Sequence, residues 1–270
     1  MKFWTNSNCY QIKPLIRMKN LFTYIIIIVC IVSIQAQQFT KKTPTEDDFY
    51  VDKMTSADFD GDGDIDLFGI SFFLSDIPSR IILLRNDGAK DVMFEGEVLN
   101  DKSDAVGSPT SADYDGDGDV DIIISINKEK EDLHILTNDG AGTFVINPLN
   151  ISGCSELKSV DFDNDGDIDI VGFGVNNEII VFYNDGKGSF SLNTTIKWDK
   201  GIGDIAVADI DNDGDMDIVL AEDEFRKARV ILLLNDGQHN FSEKIIYENR
   251  RYIETVKIID IDDDKIRDII

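Results

Sequence analysis

Apolar residues come in short runs along this chain, and one tripeptide closes four of them. Ile81-Ile82-Leu83-Leu84, Leu133-His134-Ile135-Leu136, Ile179-Ile180-Val181-Phe182 and Val230-Ile231-Leu232-Leu233-Leu234 lead into Asn-Asp-Gly at 86–88, 138–140, 184–186 and 235–237. An aromatic residue follows each turn: Phe94, Phe144, Phe190 and Phe241. Asn-Asp-Gly between apolar runs predicts a tight hairpin, because the turn needs positive φ and these residues tolerate it. The turns are expected to be structural. A second set of β-forming runs, such as Ile122-Ile123-Ile124 and Ile170-Val171, follows directly on acidic segments. After residue 40 there is no capped stretch of 3.6-residue periodicity, so helices are not expected. Each unit reads as acidic loop, strand, variable loop, strand, tight turn, strand, connector, strand. Four short antiparallel strands repeated every ~50 residues describe a blade of a β-propeller, and the predicted fold class is all-β.

The acidic segments carry the repeat most plainly. Asp58, Asp60, Asp62, Asp64 and Asp66 recur at the same spacing as Asp113, Asp115, Asp117, Asp119 and Asp121. They return as Asp161, Asp163, Asp165, Asp167 and Asp169, and again as Asp209, Asp211, Asp213, Asp215 and Asp217. A weaker fifth copy has Asp260, Asp262, Asp264 and Asp268, and its first Asp completes spacings of 55, 48, 48 and 51. Repeats therefore start near 55, 110, 158, 206 and 257.

The spacing implies metal chemistry. Carboxylates at positions 1, 3 and 5 face the inside of one tight loop, and glycine at position 6 (Gly63, Gly118, Gly166, Gly214) permits the sharp turn. Position 7 offers a backbone carbonyl and Asp at position 9 closes the shell. All these donors are hard oxygens with no His, Cys or Met, which favours calcium over zinc, copper or iron. Magnesium prefers fewer carboxylates and more retained water. About four calcium ions, mainly structural, are expected. In the fifth copy Lys265 replaces the glycine and Arg267 adds a second positive charge, so that copy is left open as a site.

The loop is similar to the first half of an EF-hand but departs from one. Position 12, where a bidentate Glu belongs, holds Gly69, Ile124, Gly172 or Leu220, and the flanks are strand-formers. Paired with Asn-Asp-Gly, the motif resembles the FG-GAP/VCBS repeats, the calcium-loop propeller blades known from integrin α-subunits and many exported bacterial proteins. The resemblance covers residues 55–270. It implies a propeller whose loop Asp residues bind calcium. That family usually closes a ring of about seven blades, so the four full units and the start of a fifth are expected to form an incomplete propeller. The alternative is a compact ring in which the strand around 49–58 completes the last blade.

Composition adds direction. There are 52 acidic against 26 basic residues, a net charge of −26, which disfavours nucleic acid and anionic membranes as partners. Residues 1–36 hold Lys2, Lys13, Arg17 and Lys19 without an acid, then a run from Leu21 to Ile34, then Gln35-Ala36-Gln37. That order predicts a secretory signal, with Met18 an alternative start. Its apolar run of about 14 residues is short for a membrane span of ~20. Residues 37–54 are expected to be an N-terminal strand or linker. Cys9 and Cys30 would leave with the signal and Cys154 remains, so no internal disulfide is available and calcium is the expected staple.

The expected function is a secreted or cell-surface module for binding, adhesion or scaffolding, with a protein or glycan partner, no nucleic acid and no membrane insertion after signal cleavage. Trp198, Tyr247 and Tyr252 are loop-region candidates for sugar stacking, weighed against ordinary edge packing. The alternative is a calcium-dependent, polysaccharide-active enzyme of the lyase kind. Against it, His134 and His239 are the only histidines. No nucleophile set can be assigned, and the basic pairs Arg226-Lys227 and Arg250-Arg251 read as solvated faces. No catalysis is expected.

Overall fold

The computed structural model describes residues 51–270 apart from 72–78, 87, 89–93, 104, 127–129, 175, 225–226, 250–252 and 263–264. The expected signal segment with Met18, most of 37–54, Tyr252, Arg226, Arg250 and Arg251 lie outside the described residues. Every described element is a strand. Blade 1 is β1 (Val51–Ala57), β2 (Asp66–Ser71), β3 (Ser79–Asn86) and β4 (Phe94–Ser103). Blade 2 is β5 (Ala105–Ala112), β6 (Asp121–Ile126), β7 (Asp132–Asn138) and β8 (Phe144–Ser152). Blade 3 is β9 (Glu156–Val160), β10 (Asp169–Phe173), β11 (Glu178–Asn184) and β12 (Phe190–Lys197). Blade 4 is β13 (Gly201–Ala208), β14 (Asp217–Glu224), β15 (Lys227–Asn235) and β16 (Phe241–Asn249). The pair β17 (Ile258–Ile259) and β18 (Asp268–Ile269) begins a fifth. Among the described residues no helix is long and apolar enough to cross a membrane.

Each blade is an antiparallel meander, and blades 2 and 3 join through one parallel bridge, Ser108 opposite Glu156, between β5 and β9. This is an arc of a β-propeller. Its second strands read as unbroken apolar runs because both faces are covered. Ile122 and Ile124 pack with blade 1 while Ile123 faces blade 3, and all three are fully buried. Ile218 and Leu220 likewise face blade 3, while Val219 and Ala221 face the β17–β18 pair. Each such Ile, Leu or Val side chain contributes about 1.5–3 kcal/mol through burial. The outermost strands β8, β12 and β16 alternate or lie exposed, as half-wet edges do.

The innermost strands are tied by polar groups. Thr55 meets Ser111 at 2.7 Å, Tyr114 Oη meets Ser159 at 2.6 Å, and Lys53 pairs with Glu156 at 3.3 Å. Asp204 accepts from Thr255 at 2.7 Å and from the Val256 N–H at 3.1 Å, and pairs with Lys158 at 3.2 Å. Burial opposes its charge, yet these donors and the ammonium win and hold its carboxyl below the usual range. Between blades 3 and 4, fully buried Glu222 takes two bonds from Arg229 (2.7 and 2.6 Å) and one from the Trp198 indole at 3.2 Å. A buried charge needs this degree of compensation.

Candidate metal-binding loops

Each acidic loop leads from the first strand of a blade into its second, and its own carboxylates fold it. The position 1 carboxylate accepts the N–H of position 6: Gly63 to Asp58 at 2.9 Å, Gly118 to Asp113 at 3.0 Å, Gly166 to Asp161 at 3.1 Å and Gly214 to Asp209 at 3.2 Å. Position 5 accepts the N–H of position 7 at 2.9 Å in all four loops, on Asp62, Asp117, Asp165 and Asp213. Position 9 is the anchor. Asp66, Asp121, Asp169 and Asp217 are at most 1 % exposed. One oxygen of each accepts the N–H of position 2, from Phe59, Tyr114, Phe162 or Ile210. The other accepts the N–H of the Asn that opens the Asn-Asp-Gly turn, from Asn86, Asn138, Asn184 or Asn235, at 2.7–2.9 Å.

This folding brings only part of each Asp set together. Carboxylate oxygens of Asp113, Asp115 and Asp121, of Asp161, Asp163 and Asp169, and of Asp209, Asp211 and Asp217 lie within 4.8 Å of one another. Positions 1, 3 and 9 converge there. In loop 1 the group is Asp58, Asp60 and Asp62, so position 5 takes the place of position 9. The position 7 side chains stand apart from these groups, against the hairpin glycine of the same blade. A Cβ on Gly140 or Gly186 would come 2.5 Å from Asp119 or Asp167 Oδ2, and one on Gly237 would come 2.6 Å from Asp215 Oδ2. Those turn glycines answer both to positive φ and to the neighbouring carboxylate.

The electrostatics are unbalanced without a cation. Burial, then repulsion from Asp115 and Asp117, outweighs two backbone hydrogen bonds and pushes Asp121 up to about 6. Asp169 rises to about 6 for the same reasons, and Asp66, Asp217, Asp115 and Asp163 shift upward too, with burial foremost. Asp60 Oδ1 and Asp209 Oδ1 are buried without a hydrogen-bond partner among the described residues. Orphaned anionic oxygens beside converging carboxylates fit a hard divalent cation. These groups could hold a metal ion.

Three features escaped the pattern reading. The described residues of the fifth loop follow the others: Lys265 adopts φ 69° where the others have glycine, its N–H reaches Asp260 at 2.8 Å, and Asp260, Asp262 and Asp268 converge. Arg85, which precedes the first Asn-Asp-Gly, pairs with Asp60 at 3.3 Å and donates to the Gly142 carbonyl at 2.7 Å in blade 2. Its only sequence signal is position, since Thr137, Tyr183 and Leu234 stand there in the other blades. The Asn side chains also reach backward. Asn138 Nδ2 donates to the Phe59 carbonyl and Asn184 Nδ2 to the Tyr114 carbonyl, both at 2.8 Å.

Of the aromatic candidates, Trp198 packs on the core between blades 3 and 4 through its bond to Glu222, whereas Tyr247 is 48 % exposed on β16. His134 is half-buried within β7, and His239 is exposed beside the Tyr183 ring at 5.9 Å.

A propeller arc whose blades open on Asp-rich loops defines a repeat class. The model of the FG-GAP-like repeat matches residues 58–124, 161–220 and 209–270. The chain belongs to that family. No curated protein matches it. Among solved structures it is similar to an exotype rhamnogalacturonan lyase, YesX, at 14 % identity and a TM-score of 0.30, covering 87 % of this chain. The chain spans 41 % of that structure, and a likeness this low carries no argument about activity.

Proposed function

We propose that this chain is an exported, calcium-stabilised module of the cell surface or extracellular space that binds a protein or glycan and performs no catalysis. The observation supporting it is the convergence of three carboxylates in every loop, with a buried oxygen left for a cation in loops 1 and 4. Asp58, Asp60 and Asp62 would hold one ion, and positions 1, 3 and 9 of the next three loops would hold one each. The oxygen-only donor set suits calcium over softer metals, and the carboxylate count suits it over magnesium. Signal cleavage would remove four basic residues and leave −30, and four ions would bring that to −22. Loops carried on a rigid, metal-tied scaffold are then free to contact a partner.

Calorimetric titration of the full chain with calcium, alongside thermal melts with and without EDTA, tests the metal part. About four sites are expected. One site at a hundred times its Kd adds ~2.7 kcal/mol, which raises Tm by roughly 5–10 °C in a chain of this size. A flat titration and an unshifted melt would sink the assignment. Incubation with an acidic polysaccharide tests the rest. Retention of intact polymer fits a binding module, and unsaturated-uronate absorbance would overturn the non-catalytic reading.

A further inference from the structure

We propose that the Asn-Asp-Gly turns do more than close hairpins: Asn138 and Asn184 couple cation binding between neighbouring blades. The proposal rests on the calcium reading above and extends it from separate loops to a connected series.

The contacts form a relay. In loop 1, Phe59 lies between the position 1 and position 3 ligands, Asp58 and Asp60, and its N–H is held by Asp66 at 3.1 Å. Its carbonyl accepts from Asn138 Nδ2 of blade 2 at 2.8 Å. The backbone N–H of that Asn donates to Asp121, a ligand of loop 2, at 2.9 Å, and its amide also reaches the Val120 carbonyl at 3.1 Å. Asp121 holds the N–H of Tyr114, which lies between Asp113 and Asp115. The Tyr114 carbonyl accepts from Asn184 Nδ2 of blade 3 at 2.8 Å, and Asn184 N–H donates to Asp169, a ligand of loop 3, also at 2.8 Å. Both Asn residues are buried, at 7 % and 6 % exposed. Edge-on ring pairs brace the same joints, Phe59 with Phe144 at 5.8 Å and Tyr114 with Phe190 at 5.7 Å.

The third joint is built differently. Asn235 keeps its own-blade bonds, N–H to Asp217 at 2.9 Å and Nδ2 to the Met216 carbonyl at 3.2 Å, but among the described contacts makes none to Phe162. Loops 3 and 4 meet instead through an exposed bond from Asn164 Nδ2 to the Gly214 carbonyl at 2.7 Å.

A cation in loop 2 fixes Asp121. Through the Asn138 amide it also fixes the backbone between the two leading ligands of loop 1. The ordering cost of loop 1 is then partly met before its own ion arrives, which is positive coupling, and linkage makes it reciprocal. Coupling is stronger across the buried joints than across the exposed one.

Full-chain variants that keep two adjacent loops, the others disabled by Asp→Asn at positions 1 and 3, separate the joints in calcium calorimetry. Pairs 1–2 and 2–3 should bind the second ion at least about five-fold tighter than the first, after statistical correction. Pair 3–4 should come close to independent. Asn138→Ala should abolish coupling in pair 1–2 alone, and Asn235→Ala should leave every pair's coupling unchanged. Independent binding in pair 1–2, or coupling that survives Asn138→Ala, overturns the proposal. No binding in the unmodified chain means instead that the calcium reading has failed. Hydrogen exchange needs no Asn variant: disabling loop 2 by D113N/D115N should speed exchange of the loop 1 amides at saturating calcium, and unchanged protection also overturns the proposal.

Discussion

Arg85 places a positive charge against Asp60, one of the converging carboxylates of loop 1, with both side chains partly exposed. A partly solvated ion pair is worth ~0.2–1 kcal/mol, and a cation entering loop 1 must displace or share it. Arg85→Thr, which copies blade 2, should therefore tighten calcium at loop 1 by up to about five-fold, as read in a chain with the other loops disabled. Unchanged affinity would mean that the pair has no bearing on the site. Asp121 and Asp169 show the opposite problem, a buried charge without a partner cation. Their folded-state values of about 6 lie above the usual 3.8. In metal-free buffer the native chain thus binds more protons than the unfolded chain between roughly pH 4 and 6, and stability falls as pH rises through that window. Melts of resin-stripped protein should give a higher Tm at pH 5 than at pH 7.5, and the reverse order would contradict the assignment of these two groups. Cys154 is fully buried, and its thiol is pushed up to about 12 by burial and then by Glu131. A disulfide reagent at pH 8 should label it only in the unfolded chain, because the thiolate is the reactive form.

At the scale of strands and turns, the tightest constraint is Gly107 in β5. It has φ 73°, and a Cβ there would overlap the Ser155 carbonyl that accepts the Ser108 N–H at 2.9 Å. Gly107→Ala should strain the backbone and break the joint of blades 2 and 3, costing upwards of ~2 kcal/mol in denaturant unfolding. Gly63→Ala, where nothing lies within 4 Å of the added Cβ, should cost only the ~1–2 kcal/mol of left-handed strain. Equal effects would remove the argument from contact. The same contrast explains what the sequence disclosed. Hairpins and acidic loops are local signals, set by turn chemistry and by residues fewer than ten apart, and their recurrence made the blade period legible. Which carboxylates converge, positions 1, 3 and 9 in loops 2 to 4 but 1, 3 and 5 in loop 1, was not, because it depends on how the backbone hydrogen bonds aim each one. Asn138 and Asn184 reach partners 79 and 70 residues away, and no local pattern announces that. The fifth copy stayed open for another reason: Lys265 stands where the other loops have glycine, yet the loop's own hydrogen bond to Asp260 holds it in the left-handed turn.

For the molecule as a whole, two explanations of a calcium effect compete. A chain of net charge −26 repels itself, and any cation relieves that by screening. Binding in the loops is different, because Asp60 Oδ1 and Asp209 Oδ1 are buried and need a ligand bond that a diffuse ion atmosphere does not supply. Monovalent salt separates the two. At about 1 M KCl the Debye length is near 3 Å, and repulsion between surface carboxylates is largely removed. If screening were the whole effect, KCl would lift the Tm of metal-free protein to the value reached in millimolar calcium. If the loops are sites, KCl should recover only part of the shift, and calcium added on top should raise Tm further. Substitution then divides what remains. Asp115→Asn and Asp163→Asn each remove one converging carboxylate and should shrink the calcium-specific shift. Asp139→Asn, which removes an exposed turn carboxylate outside the groups, should leave that shift unchanged while lowering the KCl-dependent part by a similar small amount. A calcium shift that tracked total charge alone, whichever aspartate was removed, would reduce these loops to acidic turns.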